Sequence, residues 1–306
     1  MRFFRFSCFP QNPNPDFFVK IESPLKNKEF CNMNEREWLA MVNLLDDKVL
    51  SEEIKKQLLS MGISAIAPLE LAWEMSTDAA VQTRVEDMLQ FIQSEIALSE
   101  LKSWRMRGGK DLLEGWFILT KFRYPKIELE TYKNQISRLA NIIWLDMEKQ
   151  NNYNERILSV NYILYKKELF RPEKENINHP DRFYLKSFLD TKTGNSFSLS
   201  VLYLILTRAL ELPIAAYSIE GYLTLHFSDH DSDFYIDANN YGNFFHKKNL
   251  EKFVKEHFSH KDLEDYAPAS NRLIIANMIE GLMGYYQEQQ ENNIIDYLNA
   301  LLNVVK

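Results

Sequence analysis

The spacing of apolar residues is helical over most of the chain and becomes alternating after Pro213. A repeat of i, i+3, i+4 and i+7 is typical of an amphipathic helix. It first appears at four positions, Trp38, Met41, Val42 and Leu45. Similar patterns continue to about residue 170, with a break at Tyr124-Pro125, where the residue before proline is disfavoured in a helix. We therefore predict a series of packed helices.

A turn, Gly194-Asn195-Ser196, leads into the most apolar of these predicted helices, SFSLSVLYLILTRALEL. Beyond Pro213 the segments IAAYSI, YLTLHF and DFYIDA alternate apolar and polar positions, which predicts a three-stranded antiparallel meander. Helical patterns return after it. The fold class predicted is α+β, mostly helical, with one central helix packed on a small antiparallel sheet.

These patterns predict four segments. Residues 1–32 are rich in proline and asparagine and predict a poorly ordered N-terminal arm, and residues 33–107 predict a helical, HEAT-like segment. Residues 108–260 form the predicted core with the central helix and the sheet. Residues 261–306 predict a C-terminal helical hairpin of the tetratricopeptide type.

Composition excludes several classes of function. A net charge of -7 gives no overall basic surface, so we expect no nucleic-acid partner. Two cysteines, Cys8 and Cys31, are too few for a disulfide framework or a thiolate metal cluster. We therefore expect a location in the reducing cytoplasm. No run of about 18 apolar residues predicts a membrane span, and no glycine-rich nucleotide motif is present. We therefore expect no association with a membrane and no bound cofactor.

Ser196 is the first candidate for chemistry, because free backbone N–H groups and the positive end of the helix dipole face the start of a helix. That environment activates a thiol, whereas a serine also needs an adjacent base that is held by a third group. Ser196 is otherwise predicted to be an N-cap or first-turn hydroxyl.

The strands after this helix supply the candidate partners. If the SDHDS segment closes a simple hairpin, Phe227 faces Phe234, and the same count sets Tyr222 opposite Asn239. Six residues then share one face of the sheet: Tyr222, Thr224, His226, Tyr235, Asp237 and Asn239. Five residues near that face, together with Ser196, are predicted to line a groove: Asn195, Tyr222, Thr224, Asp237 and Asn239.

The histidines do not form a recognisable site. His226 lies four residues beyond Tyr222, or about 13 Å at roughly 3.3 Å per residue, too far to replace a base at that position. His226, His230 and His246 include no pair at the i, i+4 spacing of a helical zinc motif, so we predict no metal site.

The order of GNSFSLSVLYLILTRALELPI, AAYSIEGYLTLHF and DFYIDANNYG resembles the SirB-type regulator branch of the transglutaminase-like superfamily. The segments KDLLEGWFILTKFRYP and HPDRFYLKSFLDTKTG before them add to the resemblance, which spans about residues 85–306. It implies a papain-like core and a triad in which Cys falls on Ser196, His on Tyr222 and Asp on Asp237. Two of these positions depart from the pattern. Members of this branch often lack the thiol themselves, commonly having Gly-Asn-Pro, and usually keep the His.

The resemblance therefore implies a catalytically degenerate pseudoenzyme. We predict a binding or regulatory module for a protein or peptide partner, acting through the groove, because a phenol is a poor general base near neutral pH. One alternative is a divergent hydrolase or peptidase that uses Ser196 with Asp237 or another base. A second is a helical-repeat scaffold in which the core is only a spacer.

Overall fold

The computed structural model describes residues 38, 40–42, 44, 48–219, 221–257, 262–263 and 266–306 of the 306-residue chain. The predicted arm over residues 1–32 lies outside the described residues. Part of the predicted helix over residues 33–47 is described. Its residues Trp38, Met41 and Val42 are buried in a cluster with Leu58 and Val85, as the amphipathic spacing predicts.

The described helices that follow are α1 (Lys48–Met61), α2 (Ile66–Met75) and α3 (Ala79–Met106). A short 3-10 turn, Gly62–Ala65, separates α1 from α2, and Gly62 has a φ of 56° that favours glycine. By length and composition alone, Leu50–Met75 could cross a membrane, a test that the core helix of a soluble protein also passes. The turn at Gly62 interrupts this segment.

The next helices surround the main core. They are α4 (Leu112–Lys121), α5 (Leu129–Met147), α6 (Tyr153–Asn161) and α7 (Leu185–Thr191). A π-helical segment, Tyr162–Lys167, follows α6, although the sequence pattern predicts one continuous helix there. Two short parallel strands, β1 (Arg171–Pro172) and β2 (Thr193–Gly194), then lead to the central helix α8 (Ser196–Ala209).

The sheet has the order β3–β4–β5–β6, and all of its neighbours are antiparallel. Its strands are β3 (Ile214–Ile219), β4 (Tyr222–Ser228), β5 (Asp233–Asp237) and β6 (Asn243–Phe245). The predicted pairing of Phe227 with Phe234 is confirmed. The predicted meander lacked β6, whose three residues are too few to show an alternating period.

Among the described residues, the last helices of four or more residues are α9 (Lys247–His257), α10 (Asn271–Glu288) and α11 (Asn292–Val305). The last two pack against each other as a hairpin, and α11 also contacts α3. With 68% of the described residues in helices and one small antiparallel sheet, the structure confirms the predicted α+β class.

Candidate functional site

The start of α8 is capped by Asn195. Its side-chain oxygen accepts a hydrogen bond from the Ser198 backbone N–H at 3.0 Å. Asn195 is only 5% exposed, whereas Ser196, the first residue of the helix, is half-buried. Of the two structural roles predicted for Ser196, N-cap and first-turn hydroxyl, the structure shows the second. The N-cap is Asn195.

Close packing holds this turn in place. A Cβ atom on Gly194 would lie 2.3 Å from Ser198 Oγ and 2.6 Å from the Phe188 ring, so only glycine fits. The Asn195 amide also donates to the Ile177 carbonyl at 3.3 Å. The segment between β1 and α7 therefore contacts the start of α8 directly.

An ion pair in that segment was not predicted from the sequence. Arg182 pairs with Glu173 at 2.9 Å, and the Glu173 backbone N–H donates to the Gly194 carbonyl at 2.8 Å. Pro180 begins a short 3-10 helix, Pro180–Arg182, that sets the position of Arg182. The polar, irregular stretch offered no periodic signal from which this pairing could be predicted.

One face of the sheet packs against α8. Leu223, Leu225 and Phe227 of β4 are buried in the main core with the apolar residues of α8. Ser200 of α8 also donates through its hydroxyl to the Leu223 carbonyl at 3.2 Å. The alternate residues of β4 must therefore point to the other face.

That second face is covered by α9. Its cluster contains Ile219, Tyr235 and Val254, and the Tyr222 ring lies 5.5 Å from the Phe253 ring of α9. His226 stacks on Tyr235 at 4.5 Å, which confirms that these two residues share a face.

The structure distributes the residues of the predicted groove over two places, and the groove itself stays a prediction. Asn195 and Ser196 lie at the start of α8, whereas Tyr222 and Thr224 belong to the face that α9 covers. Thr224 Oγ1 is buried and has no hydrogen-bond partner among the residues that the structure describes. Strand alternation correctly grouped the residues of β4, but it cannot tell which helix covers which face.

Asp237 and Asn239 lie where the sheet ends. The β4–β5 pairing stops at Leu225 and Ile236, so Tyr222 and Asn239 are not paired as predicted. The Asp237 carboxylate accepts from the Asn239 backbone N–H at 3.0 Å and caps the 3-10 turn Ala238–Asn240. Burial raises the pKa of this carboxyl, and backbone hydrogen bonds oppose the shift. The turn packs against α8, and Asn239 is exposed.

A comparison with protein families decides the class of this arrangement. Residues 130–280 match the family profile described as the Transglutaminase-like superfamily. This segment is a transglutaminase-like domain. It begins within α5 and ends within α10, so it includes α8 and the whole sheet. No curated protein and no solved structure gives a significant match.

In this transglutaminase-like domain, His226 hydrogen-bonds to a carboxylate of the sheet and not to Ser196. Its Nε2 lies 3.1 Å from Asp233 Oδ1, and Ser228 donates to the same carboxylate at 3.4 Å. Asp233 therefore lies between Ser228 and His226, whereas a catalytic triad needs the histidine between the serine and the carboxylate. Among the described residues, no group of three His, Cys, Asp or Glu side chains is arranged to hold a metal ion. The predicted absence of a metal stays a prediction.

Proposed function

We propose that this transglutaminase-like protein is catalytically degenerate and acts as a binding or regulatory module for a protein or peptide partner. One observation carries the proposal. Within the described part of the chain, no histidine or carboxylate side chain hydrogen-bonds to the Ser196 hydroxyl.

The lack of a base matters because a serine hydroxyl is not a nucleophile near neutral pH without one. The two side chains assigned by resemblance to activate it are engaged elsewhere. Tyr222 packs against Phe253 on the other face of the sheet, and the Asp237 carboxylate caps a turn. The free backbone N–H groups at the start of α8 could stabilise an oxyanion, but they would not remove the proton from the Ser196 hydroxyl.

A gain-of-function test is the sharpest one for catalysis. Ser196→Cys supplies the thiol of catalytic family members, and purified wild type and variant are assayed for hydrolysis and transamidation of glutamine peptides. We expect no activity from either protein, because the thiol would still lack its base. Ser103→Ala in α3 is a matched control for handling and folding.

Activity of wild type that Ser196→Ala abolishes would contradict the proposal and support the divergent hydrolase. Activity that appears only in Ser196→Cys would show that a base is in reach and that only the nucleophile has been lost. Either result would reassign the α8 start as a catalytic site.

Binding is tested by capture of partners with separate variants on the two sides of the sheet. Tyr222 is 55% exposed beside α9, and Ser196 lies at the α8 start, so Tyr222→Ala and Ser196→Ala probe different surfaces. Tyr162→Ala is the control, since this tyrosine is 48% exposed on another element. Loss of one partner in a single variant locates binding, and retention of every partner in both contradicts a role for either surface.

A further inference from the structure

A cleft lies at the other end of α8. It is bounded by the start of α4, by α5 and by the last turn of α8, and its volume is about 640 Å³. Small-molecule sites in proteins commonly have volumes of about 300–1,000 Å³. Five aliphatic residues form much of its wall: Leu112, Leu113, Ile136, Ile205 and Ala209.

The acidic residues of the cleft already have partners. The Asp111 carboxylate accepts from the Glu114 backbone N–H at 3.0 Å and caps α4. Glu130 pairs with Lys133 at 2.9 Å. Two cations, Lys110 and Arg208, remain without an acidic partner among the residues that the structure describes. The lining contains three cations, Lys110, Lys133 and Arg208, and two carboxylates, Asp111 and Glu130, so its net formal charge is +1.

Neutral groups hold Arg208 in position. Its Nη1 donates to Asn271 Oδ1 at 2.7 Å, and the Asn271 amide donates to the Lys110 carbonyl at 2.7 Å and to the Gly109 carbonyl at 3.0 Å. Asn271 thus joins the guanidinium to the loop that carries Lys110. Partial desolvation lowers the pKa of the Arg208 guanidinium, although part of the side chain remains exposed.

The helix dipoles do not change the sign of this charge. The last turn of α8 brings partial negative charge to the cleft, and the first turn of α4 brings partial positive charge, about half an elementary charge each. These contributions are of opposite sign and similar size. The charged side chains of the lining, with a net formal charge of +1, therefore set the electrostatic character of the cleft.

The cleft is separate from the candidate catalytic position. Arg208 lies twelve residues after Ser196 on the same helix, which corresponds to about 18 Å at roughly 1.5 Å per residue. A ligand at this end would therefore not contact the start of α8.

We propose that this cleft binds an organic anion, a carboxylate attached to an aliphatic body, with the carboxylate at Arg208 and Lys110 and the body on the aliphatic wall. A guanidinium binds a carboxylate through two parallel hydrogen bonds. The aliphatic wall favours a ligand body with no polar groups of its own.

The probe is decanoate, below its micelle concentration, and its binding to the full chain is measured by calorimetry beside 1-decanol, which has the same chain and no charge. We expect decanoate to bind at least about tenfold more tightly than decanol, since hydrogen bonds between charged groups are stronger than those between neutral ones. Equal affinities, or no binding of decanoate, would overturn the proposal.

Variants then locate the binding. Arg208→Gln should lower the affinity for decanoate about tenfold and leave the affinity for decanol unchanged. Arg105→Gln should change neither, because Arg105 is also an exposed arginine in the last turn of a helix but does not line the cleft. Unchanged decanoate affinity in Arg208→Gln would assign the binding elsewhere.

Two further variants cover the case in which Arg208→Gln does not fold. Lys110→Gln alters an exposed side chain and should weaken decanoate several-fold. Ala209→Phe should fill the cleft and abolish binding of both probes, with folding checked by thermal unfolding of each variant. Full decanoate affinity in both variants would overturn the proposal.

Discussion

The two ends of α8 have opposite characters. At its start, Asn195 is 5% exposed and holds both the helix and the neighbouring Ile177 carbonyl. At its end, Arg208 lines a cleft of about 640 Å³, and among the described residues its hydrogen-bond partner is the neutral Asn271. The amide of Asn195 at the start is hydrogen-bonded within the fold, whereas the end borders an open cleft with charged side chains.

This difference shows that the end of α8 that carries the family motif is packed into the fold, whereas the end without a motif borders an open cleft. The Gly194-Asn195-Ser196 turn marks the position of the family's nucleophile, yet its packing serves the fold. The cleft at the other end has no sequence motif, because its residues come from separate helices. We therefore expect changes at the start to affect stability and changes at the end to affect binding.

The largest expected effect is at Gly194. Gly194→Ala would force a Cβ within 2.3 Å of Ser198 Oγ and should lower the free energy of unfolding by about 3 kcal/mol, measured by urea denaturation. Gly284→Ala in α10 is the control, since nothing lies within 4 Å of its Cβ, and should add about 0.5–1 kcal/mol. Equal effects of the two variants would show that the start of α8 is not tightly packed.

Loss of the cap should have the next largest effect. Asn195→Ala removes the acceptor of the Ser198 N–H and should lower the free energy of unfolding by about 1–2 kcal/mol. Asn152→Ala removes an exposed cap, that of α6, and should cost no more than about 1 kcal/mol. A smaller loss for Asn195 than for Asn152 would contradict the structural role of the start.

Two carboxylates on either side of α8 in the sequence should give opposite pH dependences of stability. The hydrogen bond from Lys192 lowers the pKa of Glu168 below 4.5, so its stabilisation is present above that pH and is lost as the pH falls through the lowered value. Burial raises the pKa of Asp237 above 3.8, so its carboxylate destabilises the fold increasingly as the pH rises through that range.

Glu168→Gln should therefore lower the free energy of unfolding at pH 7 by up to about 1 kcal/mol, and the difference from wild type should shrink as the pH falls below 4.5. Asp237→Asn, which keeps a capping oxygen, should be neutral or slightly stabilising at pH 7. Thermal unfolding across pH 3–7 measures both. A loss of stability at pH 7 in Asp237→Asn would contradict the assigned effect of burial.

The smallest effect on stability is expected at the end of α8. Arg208→Gln should change the free energy of unfolding by no more than about 0.5 kcal/mol, because the side chain is exposed and Gln can still donate to Asn271. The same variant should lose decanoate affinity about tenfold. A large loss of stability would mean that Arg208 serves the fold, and the contrast between the two ends would disappear.

The fold was predictable wherever local periodicity decides it. Alternation gave the three longer strands and the register of Phe227 with Phe234, and the helical period gave α8 after its polar turn. The break at Tyr124-Pro125 separates α4 from α5 as predicted. The π-helical segment and β6 could not be predicted, because both depart from the periods of regular structure.

The candidate site was only partly predictable. The sequence by itself determined that Ser196 begins a helix and that His226 and Tyr235 share a face, because both follow from local geometry. Only the tertiary structure decided that α8 packs on one face of the sheet and Tyr222 lies on the other beside α9. Alternation sorts side chains into two faces, and the face that each helix buries is set by packing between segments far apart in the chain.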